Sequence, residues 1–370
     1  MYPERIDERP RSVWIGGALL IFRQERRRQD CLRKLFQEAG TVKCQSSAET
    51  RIGIIGAGRV GTALSLALTG AGMEITGVMS RSRASADRLI ELAGLDSSAR
   101  CDSPSEVFER CEILFISVGD DAIEQVARQI VDGFSSGSEA PVSSGAAPAI
   151  DPSAAGQTPR VAAHLSGALG SSVLSPLRRL GASVASLHPV KSFSEDPRAS
   201  ADLTGTVATI EGDAPAVETL ERLAGTLGMK AVRLKSDQKP LYHAAACIAS
   251  NYMVTLFALS LAVMESCGME EAIARAALSQ LVRGTAQNLT DRPPGRALTG
   301  PIARGDVRTI RGHLEALKSH ENRSAESVYR MLGLETVDLA EQSGRVPPET
   351  AGELRAVLSG GRFAALRVQE

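Results

Sequence analysis

The stretch IGIIGAGRVGTAL, residues 52–64, sets Gly56, Gly58 and Gly61 in the spacing GxGxxG. In a chain with 34 glycines that spacing also arises by chance, so its surroundings decide. An apolar run, RIGIIG, precedes it and reads as a strand. VGTALSLALTGAG follows and reads as a helix that stops at glycine. A second strand, EITGVMS, comes about 20 residues on, which completes the setting of a dinucleotide turn. In such a turn Gly56 permits the tight bend and Gly58 lets the backbone approach a pyrophosphate. Gly61 brings helix against strand. Ala57, Arg59 and Val60 complete the loop, whose helix N-terminus offers unpaired N–H groups to phosphate.

Outward from this turn the order is strand, helix, strand, helix, strand. The third strand, EILFISV (112–118), is apolar throughout, as a strand buried on both faces is. This order predicts an α/β fold with a Rossmann-type doubly wound parallel sheet. The pattern breaks at residues 135–159, a Ser/Gly/Ala/Pro-rich stretch with almost no charge, expected to be a flexible loop. Sheet-like runs return at RVAAHLSGA, ASVASLHPV and TVATIEGD. After Ser236 strands cease, and residues 237–268 read as one long helix followed by three more. The expected organisation is an N-terminal extension (1–49), a dinucleotide-binding domain (50–236), an all-helical dimerisation and substrate domain (237–345) and a peripheral tail (346–370).

The tip of the second strand bears on cofactor choice. NAD sites place an acidic residue there, on the ribose 2′-hydroxyl. Here the tip reads Ser80, Arg81, Ser82, Arg83, which suits a 2′-phosphate held by charge-assisted hydrogen bonds. The expected cofactor is therefore NADP. Val118 and Gly119 end the third strand and are expected on the nicotinamide side.

Three segments carry a resemblance: HLSGALGSSVLSPLRRLGASVASLHPVKSF (164–193), DQKPLYHAAACIASNY (237–252) and ALTGPIARGD (297–306). Over roughly residues 51–340 the chain resembles a bacterial family of Rossmann-like proteins whose second half is a domain of unknown function. These are described only as NADP-dependent oxidoreductases, so the resemblance implies fold and cofactor class without a substrate. The layout is more distantly similar to pyrroline-5-carboxylate reductase, ketopantoate reductase and 6-phosphogluconate dehydrogenase. SLHPVKSF also resembles the His-Pro segment near the substrate of prephenate dehydrogenases. The first 50 residues and the 135–159 loop depart from the family's usual length.

Hydride transfer belongs to the cofactor, and the protein must orient a substrate and move a proton. Related dehydrogenases use a Lys or His on the long interdomain helix. Lys239, His243 and Ser250 fall within about 40° of one another around that helix, and Asn251 flanks them at about 120°. A lysine near a helix N-terminus opposes the macrodipole and gains from an anion, so Lys239 is expected to hold a substrate carboxylate. His243 or His188 is expected to pass the proton, although a packed core histidine fits His243 equally well. Cys247, about 80° away, reads as packing. His188, Ser166 and Gly167 stand at the ends of parallel strands, where open α/β sheets bind ligands, and are the expected substrate-binding residues. His164 reads as structural, and His313 and His320 as solvated on a late charged helix.

The expected function is an NADP-dependent oxidoreductase acting on a small polar metabolite, with carboxylate-bearing compounds among the expected substrates. The alternative is an NADP-binding regulatory or scaffold protein without turnover. It survives because position 243 is His where a Lys-x-x-x-Asn pattern would have Asn. The charge balance excludes wholesale nucleic-acid binding: 42 basic against 43 acidic residues, a net charge of -1. Six scattered cysteines without a CxxC pair read as reduced thiols of a cytoplasmic protein, and no metal site is expected. VWIGGALLIF (13–22) is too short to span a bilayer, and RQERRRQD follows it in place of a small-residue cleavage site. No membrane association is expected. YMVTLFALSLAVM (252–264) is apolar nearly all round and must be covered on every side, which predicts a homodimer.

Overall fold

The computed structural model describes residues 50–135, 160–318 and 323–360. The expected extension at 1–49, the loop assigned to 135–159 (apart from its first residue) and His320 lie outside the described residues. Seven strands form one sheet in the order β2-β1-β3-β4-β5-β6-β7. They are β1 (Arg51–Ile55), β2 (Glu74–Met79), β3 (Ile113–Ile116), β4 (Val161–His164), β5 (Ser183–Pro189), β6 (Val207–Gly212) and β7 (Lys230–Arg233). Every pairing is parallel except β5 with β6. The first helices are α1 (Arg59–Gly70), α2 (Arg83–Ala93), α3 (Pro104–Arg110), α4 (Asp120–Ser135) and α5 (Ala214–Thr226). The order reverses between β1 and β3, so their carboxyl ends open the crevice in which such sheets bind ligands.

The central strands are buried from end to end, as their unbroken apolar runs require. Two apolar clusters back the sheet. Leu64, Leu68, Leu89 and Leu220 belong to one, and Phe108, Ile123, Ile130 and Leu174 to the other. The chain makes its first strand-to-helix turn with Gly56 at φ +108°, where a Cβ would fall 2.2 Å from the Ser117 carbonyl oxygen. Only glycine fits there.

After β7 come α6 (Lys239–Ala249), α7 (Asn251–Ser266), α8 (Glu271–Asp291), α9 (Val307–Lys318), α10 (Arg323–Gln342) and α11 (Pro348–Leu358). The long helix read from the sequence is thus two helices, interrupted at Ser250 (φ -115°, ψ -65°). Ser250 and Asn251 are both weak helix formers whose side chains compete for backbone groups. Residues 346–360 are no peripheral tail, and 361–370 lie outside the described residues. Ala351, Leu354 and Leu358 of α11 are buried with Ile310, Leu314 and Val337 in a third apolar cluster. The principal neighbours of α7–α11 are one another, and α6, which packs on α7, is tied to the sheet through Lys239.

Candidate functional site

The site is assembled around the carboxyl ends of β1, β3 and β4. Helix α1 starts at Gly58, which gives its amides no side-chain cap, and its first turn holds no acid. Its free N–H groups and the positive end of its dipole face outward. A Cβ on Gly61 would lie 2.1 Å from the Gly56 carbonyl oxygen, so that glycine is demanded by packing. A Cβ on Gly58 would meet nothing within 4 Å. The space beside Gly58 is therefore open to a ligand, and a backbone that needs glycine there for no internal reason fits a pyrophosphate lying across it. Arg81 and Arg83 are exposed beyond β2, and Ser80 is half-buried. Ser82 caps α2 through the Ser85 amide. The 56–61 turn thus has the open backbone and free amides that a dinucleotide's pyrophosphate requires.

From Gly58, Arg59 and Val60 a cleft of about 270 Å³ runs past Ser117, Val118 and Asp120 to Ser166, Gly167 and His243. A second hollow of about 180 Å³ opens on the other side of Gly58 and Arg59, toward Ser85 and Arg88. Arg59 reaches Glu195 at 3.8 Å between exposed side chains, a contact of little energetic weight.

His243 closes the inner end of the cleft. It packs on Gly167 so closely that a Cβ there would stand 2.4 Å from its Nδ1. The same Cβ would stand 2.9 and 3.0 Å from Cε1 and Nε2 of His188. Gly167 is thus the spacer that allows two imidazoles to meet at the end of β4. Their ring centroids are 5.8 Å apart at an interplanar angle of 80°. His243 Nδ1 is buried and has no hydrogen-bond partner. His188 is largely enclosed, and its Nδ1 shares a 2.8 Å hydrogen bond with the Tyr242 hydroxyl. Burial first, then the charge of Lys239, lowers the His188 pKa to about 4, so the ring is neutral at pH 7.

Lys239 does not face a ligand. It is 1% exposed, and its Nζ donates to the Ser166 carbonyl at 3.0 Å and to the Ser186 hydroxyl. Loss of hydration lowers its pKa to about 8, against the pull of Glu211 and Asp120. The expectation that Lys239 anchors a substrate carboxylate fails on burial: its ammonium is spent on stitching α6 to β4 and β5. Ser166 is committed in the same way. Its Oγ donates to Asp120 at 2.9 Å and accepts from the amides of Ala168 and Leu169, so it shapes the loop. Ser250 and Asn251 lie exposed at the junction of α6 and α7, apart from the cleft residues, because the helix carries them past the sheet. His188 touches the back of His243 and is not among the residues lining the cleft.

Buried polar groups below the cleft hold this arrangement. Glu211 accepts from the Ser171 amide at 2.6 Å, from the Ser171 hydroxyl at 3.0 Å and from the Ser236 hydroxyl. His164 is fully buried, accepts from the Ser166 amide on Nδ1 and reaches the Gly170 carbonyl through Nε2. Burial lowers its pKa to about 4, in keeping with a structural role. Sequence reading missed Asp120, Tyr242 and Glu211. A carboxylate inside the apolar run TVATIEGD signals Glu211, whereas Tyr242 is 100° off the His243 stripe and gives no signal. His313 is exposed, as expected, and pairs with Tyr329 at 2.8 Å beside an apolar groove. Among the described residues no cluster of His, Cys, Asp or Glu could hold a metal.

Residues 37–189 match the model of a Rossmann-like domain, and residues 206–336 match a domain of unknown function, DUF2520. No curated protein matches the chain. Among solved structures, a Bacteroides fragilis protein provisionally described as an NADP oxidoreductase is similar at 22% identity and TM-score 0.59, covering 77% of this chain and 96% of its own. A Thermotoga maritima protein is similar at 25% identity and TM-score 0.55, covering 79% and 99%. A pyrroline-5-carboxylate reductase from Coxiella burnetii aligns at 13% identity and TM-score 0.47, over 85% and 97%.

Proposed function

From a chain made of a Rossmann-like domain followed by DUF2520, we propose an NADP-dependent oxidoreductase acting on a small polar metabolite. One observation carries the reading: the uncapped glycine turn and the His243 imidazole line the same cleft, with the end of β3 between them. NADP would supply the hydride chemistry. Within the chain, the free amides of α1 hold phosphate, Val118 and Gly119 position the reacting end, and His243 exchanges a proton with the substrate atom that gains or loses one. The buried Lys239 gives a carboxylate no anchor, so carboxylate recognition is not part of the proposal.

The test is a comparison of NADPH and NADH binding, followed by turnover on a panel of polar carbonyl, imine and alcohol compounds. NADPH should bind more tightly, and Arg81→Asp should weaken it at least tenfold, the equivalent of one charge-assisted contact of about 1.5–3 kcal/mol. Equal wild-type affinity for the two cofactors would overturn the assignment of the arginines. Binding of NADPH with no turnover on any compound would favour a regulatory or scaffold role.

We further propose that the chain acts as a homodimer built on its helical half. Among the described residues, the exposed large apolar side chains other than Val190, Val207 and Val232 all lie at or beyond Leu241. Val254 is 71% exposed and Leu281 62%. At roughly 100 Å² apiece these side chains offer on the order of 1,000 Å², above the ~800 Å² per partner of a stable interface. Beside α7 lies an apolar groove of about 820 Å³ between α7, α8, α9 and α10. A ridge and a groove on one surface are self-complementary across a two-fold axis. Ser236–Ser266 is long and apolar enough to cross a membrane, with mean hydropathy 1.8. A bilayer suits it poorly, since Lys239 is fixed inside the sheet domain and the 16 residues of α7 reach about 24 Å, short of the ~30 Å core. Residues 240–264 also hold no Lys or Arg to rim a membrane-bound face.

A further inference from the structure

We infer that His188 and Tyr242 are positioning residues that decide which tautomer His243 presents to the cleft. The inference rests on the proposed proton role of His243, but its first test needs no cofactor or substrate.

The starting point is the orphaned Nδ1 of His243. It is a buried polar atom, and leaving a group of that kind unpaired carries a free-energy cost. Two groups close to it could repay this cost only by exchanging hydrogen bonds in a row. His188 Nε2 and His243 Nδ1 lie within 3.0 and 2.4 Å of one point, the absent Cβ of Gly167. His188 Nδ1 is already bonded to the Tyr242 hydroxyl. Beside that hydroxyl stands the hydroxyl of Thr209, in β6, as a hydrogen-bonding neighbour of Tyr242. Thr209, Tyr242, His188 and His243 thus form a line of groups, each able to donate at one end and accept at the other. The bond from His188 Nε2 to His243 Nδ1 is the link that the inference adds to this line.

Such a line has two consistent polarities. When Tyr242 donates to His188 Nδ1, His188 carries its proton on Nε2 and donates to His243 Nδ1. His243 then bears its proton on Nε2 and offers a donor to the cleft. When every bond is reversed, His243 Nε2 becomes an acceptor. The first suits a group that gives a proton as hydride is added, and the second suits the reverse reaction. His188 can serve only while neutral, because the doubly protonated ring donates from both nitrogens. Its enclosure next to Lys239 keeps it neutral. The arrangement also explains why three rings and a glycine meet at this spot: Gly167 makes room, Tyr242 fixes the second ring, and the second ring fixes the first.

The experiment is nitrogen-15 NMR of the histidine rings in the whole ligand-free protein at pH 7.5, reading the protonation of each nitrogen. In the wild type His243 should show one dominant tautomer. Tyr242→Phe and His188→Leu should each convert it to a mixture, and His188→Gln, whose amide can donate in place of Nε2, should restore the single form. A mixture in the wild type, or an unchanged single tautomer in both Tyr242→Phe and His188→Leu, overturns the inference. Should either variant fail to fold, Gly167→Ala provides the same readout by separating the rings. With a substrate in hand, Tyr242→Phe should lower kcat about tenfold or more while KM and NADPH affinity hold. Loss of NADPH binding by the wild type would sink the oxidoreductase reading and leave the tautomer result standing.

Discussion

Replacing Lys239 with methionine should change stability in a way that depends on pH. The side chain is buried and its ammonium serves two acceptors, the Ser166 carbonyl and the Ser186 hydroxyl. Methionine of similar length keeps the packing and orphans both acceptors, at about 1–3 kcal/mol each. Against this, the wild-type ammonium sits in a place that disfavours charge. Its pKa falls from 10.5 to about 8, so holding it charged below pH 8 costs up to about 3 kcal/mol at ~1.4 kcal/mol per pH unit. At pH 7 the two effects partly cancel, and Lys239→Met should lose only about 0–3 kcal/mol. Between pH 8 and 10.5 the folded lysine is neutral while the unfolded one is still protonated. The unfolded state then binds more protons, and wild-type stability gains with rising pH. The gap between wild type and variant should therefore widen by up to ~3 kcal/mol across that window. Urea denaturation of both proteins at pH 7 and pH 10 measures it. A gap that is the same at both values, or a variant of unchanged stability whose only defect is a raised KM, would refute a buried structural lysine and return Lys239 to the substrate.

Other outcomes are equally specific. Gly58→Ala should leave stability within about 0.5 kcal/mol, since its Cβ meets nothing, yet weaken NADPH at least about tenfold; titration calorimetry separates the two. Gly61→Ala should destabilise by about 1–3 kcal/mol, because its Cβ runs into the Gly56 carbonyl. The unfolded forms of His164 and His188 take up protons near pH 6.5 and the folded forms only near 4, so acidification across that range should cost up to about 1.4 kcal/mol per pH unit for each, seen as a falling denaturation midpoint. Val254→Arg should yield monomers in light scattering where the wild type gives dimers at micromolar concentration, and a monomeric wild type would end the dimer proposal.

The sheet and the cofactor turn were legible because they rest on short-range rules. Glycine spacing, unbroken apolar strands and the strand–helix rhythm each act within a few residues of chain, and Gly56 and Gly61 prove to be where backbone meets backbone. The meeting of His188, Lys239 and His243 followed from the strand ends together with a long helix that starts directly after the last strand. What they do there did not. Burial inverts Lys239 from ligand anchor to tie, and burial is set by β4 and β5, more than fifty residues upstream. Helical phase put Ser250 in line with His243, but phase has no meaning past a break, and the chain turns at that very residue. The tail was misread because apolar residues of α11 are few and need α9 and α10 to give them a core.

That interruption at Ser250 divides ownership of the molecule's moving parts. His243 and Lys239 precede it, and Lys239 is fastened to the sheet, whereas the principal neighbours of the described helices after it are other helices. A hinge between Ala249 and Asn251 would let the whole helical half swing without disturbing the imidazole against Gly167.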